Sequence, residues 1–116
     1  MHTFAAQAVI QLRITERNLR QVVRGLSVDE VESRQEERTI AKLLSYFASA
    51  KRFAVDSRNI EEGPTRGPVL RESLEQLAFF DETLLLVSSL GAADVAQLSA
   101  ETSVARDYLH KAIKEV

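Results

Sequence analysis

Gly63-Pro64-Thr65-Arg66-Gly67-Pro68 holds both prolines and two of the four glycines of a 116-residue chain. Proline lacks an amide donor and its ring crowds the carbonyl four residues back, so this density of Pro and Gly reads as a break between regular elements. Taken as a loop over 61–68, it divides the chain near its middle into residues 1–60 and 69–116. The expected fold is all-α: a four-helix bundle-like single domain built from two antiparallel helical hairpins on either side of that loop.

Upstream, Thr3 is a candidate N-cap for a first helix. Its apolar positions Ala5, Val9, Leu12, Leu19, Val23 and Leu26 alternate at spacings of three and four, with Glu16 interrupting the seam. An acid in such a seam reads as a partly buried group paired with arginine or another polar side chain. Gly25 and Ser27 break the pattern, and Ser27-Val28-Asp29-Glu30 has the form of a capping box opening a second helix. Residues 32–39 are polar on every side and are expected to face solvent. Ile40, Leu43, Leu44, Phe47, Ala50 and Ala54 then form a buried stripe that can run to about Ile60.

Downstream, Gly67 and Pro68 suit an N-cap and first helical position. Leu70, Leu74, Leu77, Phe80, Leu84 and Val87 line one face of a third helix, thickened by Phe79, Leu85, Leu86 and Leu90, which marks it as the central helix. Gly91 is read as a left-handed stop and Asp94 as the N-cap of a fourth segment with an inner face of Val95, Leu98, Ala105, Leu109, Ala112 and Ile113.

Fifteen Lys and Arg against seventeen Asp and Glu give a net charge of −2, with no global pull toward nucleic acid or anionic lipid. The halves differ. Residues 1–60 hold ten basic and seven acidic side chains, and residues 61–116 hold five and ten, so +3 stands against −5. The absence of cysteine excludes disulfides, thiolate metal sites and a cysteine nucleophile. The longest apolar runs, of four residues as in Leu84 to Val87, are far short of the roughly 18 residues of a membrane span. With no signal-peptide pattern in the first eight residues, a cytoplasmic location is expected.

Arg13, Arg17, Arg20 and Arg24 are spaced four, three and four, and so line one ridge of the first helix. Glu72, Glu75 and Glu82 fall at related spacing on the third, with Phe79 completing the series. These seven residues are the candidate interaction residues. The simplest expectation is that ridge and row pair inside the molecule or across an oligomer seam, as flanking charges do in coiled coils.

Leu98-Ser99-Ala100-Glu101-Thr102-Ser103-Val104-Ala105-Arg106-Asp107-Tyr108-Leu109 resembles the helix-turn-helix pattern of small bacterial DNA-binding regulators. Ser99 takes the small-residue position, Ser103 the turn, Val104 the buried position after it and Leu109 the anchor of the second helix. Over about residues 94–113 the resemblance implies a DNA-binding regulator with Arg106, Tyr108, His110 and Lys111 on the helix presented to the major groove. Here the turn lacks that family's glycine and residues 94–116 carry a net charge of −1; one continuous amphipathic helix fits the same residues.

Asp107 and His110 are three apart, half of an acid-x-x-His metal-ligand pattern, which makes a metal-dependent helical-bundle enzyme a third reading. No phosphate-binding loop, nucleophile elbow or His-Glu zinc motif is present. The sequence therefore leads to a non-enzymatic protein-protein interaction module with no cofactor or metal site. The expected form is a self-associating adaptor or regulatory protein, a dimer foremost, because the surplus apolar face of the third helix needs a further neighbour.

Overall fold

Four helices follow one another along the chain in the computed structural model: α1 (Thr3–Arg24), α2 (Arg34–Arg58), α3 (Gly63–Leu84) and α4 (Ala92–Lys114). The structure describes residues 3–26, 34–60 and 63–116, and no strand occurs among them. The Ser27 to Glu30 capping box lies outside the described residues. No helix among them is long and apolar enough to cross a membrane.

Each helix buries a stripe that alternates three and four residues, the repeat that keeps one face toward neighbouring helices. On α1 the stripe includes Ala5, Leu12, Thr15 and Leu19; on α2, Ile40, Leu43, Phe47, Ala50 and Ala54. On α3 it is Leu70, Ser73, Leu77, Phe80 and Leu84, and on α4 Leu98, Thr102, Ala105, Leu109 and Ala112. Phe47 and Phe80 meet edge-on at the centre with ring centroids 5.1 Å apart. Burying each such side chain contributes about 1.5–3 kcal/mol.

Helix directions follow from the contacts. Phe47 faces Phe80, Ser73 Oγ donates to the Ala50 carbonyl at 2.7 Å, and Arg66 reaches the Ser57 carbonyl at 3.1 Å, so numbers fall along α2 as they rise along α3. Asn18 with Glu101, and Phe4 with Lys111, give the same antiparallel sense to α1 and α4. The bundle is up-down-up-down and measures 49 × 22 × 18 Å. Its most extensive packing joins the hairpins to each other, α2 on α3 and α1 on α4, with α1 on α2 and α3 on α4 completing a ring. The helix expected to be central is thus one corner of four, and α1 and α3 stand at opposite corners.

Several local expectations are corrected. The stretch 61–68 is not a loop throughout, because α3 begins at Gly63 and carries Pro68 within it. Pro64 falls among the first turn's amides, which have no intrahelical partner to lose. Pro68 lies one turn later and forfeits a bond to the Pro64 carbonyl, at an exposed position. Pro68→Ala is accordingly expected to stabilise the fold by about 1 kcal/mol, the restored bond outweighing the freer unfolded chain, and to raise the urea midpoint.

Helix α3 ends at Leu84, before the apolar run does. Leu86 N–H bonds the Thr83 carbonyl at 2.9 Å and the chain turns, sending Val87 and Leu90 into the core while Leu85 and Leu86 stay 76% and 70% exposed. Gly91 is the extended N-cap of α4 at φ −70° and ψ 153°, where the sequence suggested a left-handed stop, and Asp94 sits in the first turn rather than capping it. At the start of α2, Glu36 is buried, so the described part of that polar stretch is not all solvent-facing.

Candidate interaction surface

Arg13, Arg17, Arg20 and Arg24 all lie exposed along α1. With Glu16, Gln21 and Lys51 they line an open groove of about 470 Å³ between α1 and α2. Glu16 is the partly buried acid its place in the seam suggested. Lys51 Nζ lies 2.7 Å from its Oε1, and Arg20 3.9 Å from Oε2. Five cations thus line the groove with one carboxylate, and among the described residues Arg13, Arg17 and Arg24 form no ion pair.

Glu72, Glu75 and Glu82 are also exposed, on the outer ridge of α3. They do not meet the arginines within the molecule, since the two helices occupy opposite corners of the ring. The internal pairing expected from their matching spacing is therefore corrected: each row faces outward, and among the described residues only Arg20 of the seven has an ion-pair partner, Glu16. Repulsion at spacings of three and four costs a helix roughly 0.2–0.5 kcal/mol per pair, which counter-charges from outside would relieve.

Apolar side chains lie on or beside both rows. Ile10 and Ile14 are 50% and 45% exposed on α1, while Phe79, 38% exposed on α3, lies tilted against Tyr46 of α2 at 5.4 Å.

The fourth segment is one continuous 23-residue helix, Ala92–Lys114, with no turn at Ser103, so the helix-turn-helix expectation is corrected. Thr102 shows why. Its hydroxyl bonds the Ser99 carbonyl at 2.9 Å and lies 3.2 Å from Asp81 of α3, which holds the residue before the supposed turn in the helix's buried stripe. Arg106 pairs with the same Asp81 carboxylate, and Lys111 lies over the Phe4 and Tyr108 rings at 5.6 and 5.9 Å. Tyr108 is half-buried and His110 exposed, so the four residues assigned to a major groove do not form a common free surface. Asp107 and His110 are both exposed, and no group of three potential metal ligands occurs among the described residues.

Two polar anchors were missed in the sequence. Arg66, 5% exposed, donates from Nε to the Ser57 carbonyl at 3.1 Å and from Nη2 to the Ile60 carbonyl, tying the start of α3 to the end of α2. At the other end of the bundle, Glu36 accepts from Ser89 N–H at 3.1 Å, Ser89 Oγ at 2.8 Å and Ser88 Oγ at 3.2 Å. Burial pushes its pKa up, but the bonds from Ser89 and Ser88 outweigh that and hold the carboxyl below its ordinary value. Their signal was spacing: each stands four residues ahead of its helix's apolar stripe, before Leu70 and Ile40 respectively.

The chain matches no protein-family model, and comparisons with curated proteins and with solved structures returned no significant match.

Proposed function

We propose that this chain is a non-enzymatic protein-protein interaction module that associates with copies of itself. The observation that carries this reading is the α3–α4 turn, where the adjacent Leu85 and Leu86 stand 76% and 70% exposed. Glu36 pins this turn through Ser88 and Ser89, so the leucines are presented from an ordered segment. Burying both side chains against a partner makes roughly 3–6 kcal/mol of gross hydrophobic free energy available, and pre-ordering reduces the entropy lost on association.

Light scattering across a tenfold dilution at micromolar concentration tests the reading. The average mass is expected to exceed that of one chain and to fall on dilution. A strict monomer throughout overturns self-association.

A further inference from the structure

We propose that self-association runs through two different faces, the arginine ridge of α1 docking on the acidic row of α3 of a second copy. This inference rests on the self-associating reading and specifies its surfaces. The occupant of the ridge is fixed by complementarity with the chain's own acidic row. Arg13, Arg20 and Arg24 are spaced seven and four; Glu82, Glu75 and Glu72, taken in reverse, are spaced seven and three. One antiparallel register therefore brings Arg13 to Glu82, Arg20 to Glu75 and Arg24 to Glu72 of the second copy.

Phe79 falls in the same register, an exposed ring opposite Arg17 and able to receive a guanidinium on its face. A parallel alignment matches as many, with Arg13 at Glu72, Arg17 at Glu75, Arg24 at Glu82 and Arg20 opposite Phe79, so the spacing assigns the two faces to each other in either direction. Arginine forks suit this contact because they bind carboxylates in a bidentate way. Each face is exposed within the single chain and, apart from Arg20 with Glu16, its named charged residues form no ion pair among the described residues.

Position in the ring determines how such contacts propagate. A closed two-fold pair repeats one self-complementary patch, whereas the ridge and the row stand on helices at opposite corners. Docking one on the other leaves a free row on one copy and a free ridge on its neighbour. Growth is therefore head-to-tail, in place of the closed dimer that the sequence favoured.

Charge reversal in trans tests the assignment. One variant carries Arg13→Glu, Arg20→Glu and Arg24→Glu; the other carries Glu72→Arg, Glu75→Arg and Glu82→Arg. Each alone opposes like charges and is expected to weaken association by at least about 100-fold, whereas an equimolar mixture associates again. The chain carrying all six changes is expected to associate like the wild type. Circular dichroism checks folding, and the milder Arg→Gln and Glu→Gln triples, expected to weaken association about 10-fold, serve if a reversal unfolds the bundle. Wild-type association weakens as salt is raised, and species larger than two copies form at high concentration.

A monomeric wild type removes the self-association reading itself. The pairing alone is overturned if the wild type associates but stops at two copies, if either folded triple associates undiminished, or if the mixture stays monomeric. It is likewise overturned if the ridge triple loses salt-sensitive binding of duplex DNA while still self-associating, which assigns the ridge to nucleic acid.

Discussion

Replacing Arg66 with methionine is expected to cost about 3 kcal/mol of stability and to lower Tm by roughly 10 °C. The side chain is almost wholly buried and its guanidinium donates to the Ser57 and Ile60 carbonyls. Ser57 belongs to the last turn of α2, where carbonyls have no intrahelical partner and the negative end of the helix dipole favours a cation. Methionine keeps most of the apolar stem and removes the fork, leaving acceptors without these donors in a partly desolvated corner. Arg66→Lys retains the charge without the planar fork and is expected to recover about half the loss. Urea denaturation followed by circular dichroism checks both variants. A loss below about 1 kcal/mol for the methionine variant means that water replaces the guanidinium at little cost.

The same residue explains much of what the sequence did and did not reveal. The three-four repeats marked the buried faces of all four helices, because one apolar face per helix is what bundle packing demands. The Gly63 to Pro68 stretch misled because proline is costly only where it removes a bond that a helix would otherwise make. Pro64 lies where none is lost, and the buried Arg66 anchors the same turn to α2. Leu85 and Leu86 misled in the opposite direction. They continue the apolar count past Leu84, but the chain leaves the helix there, so residues that made α3 look central are the most exposed large apolar side chains among the described residues.

Charge spacing was legible and its destination was not. Arg13 to Arg24 and Glu72 to Glu82 do lie on matching ridges, yet whether two helices are neighbours depends on their order around the bundle, which local periodicity does not encode. The ring order puts α1 and α3 on opposite corners and turns an expected internal contact into two outward surfaces of opposite sign. Arg106 illustrates the converse. A side chain assigned to DNA by local pattern is held by Asp81, 25 residues away in sequence.

Replacing Glu36 with glutamine is expected to cost about 2 kcal/mol at neutral pH, with the difference from wild type vanishing in acid. The Glu36 carboxylate accepts two hydroxyls and a backbone amide from the α3–α4 turn, and bonds to an ionised acceptor are worth more than bonds to a neutral amide. These bonds depress its folded-state pKa below 4.5. A depressed carboxyl pKa means that the unfolded chain binds the proton more readily. The Glu36 contribution is thus fully present above about pH 4.5 and is lost as pH falls through the folded value. The other carboxylates titrate in both proteins, so the difference between wild-type and Glu36→Gln unfolding free energies, measured from neutral pH into the acid range, isolates this group. A difference that stays constant with pH would assign the loss to packing alone. Faster amide exchange at Ser89 in the variant at neutral pH is the local counterpart, since the carboxylate holds that N–H directly. Loosening the turn also frees the segment that presents Leu85 and Leu86, so the variant is expected to associate more weakly even where its exposed side chains are unchanged.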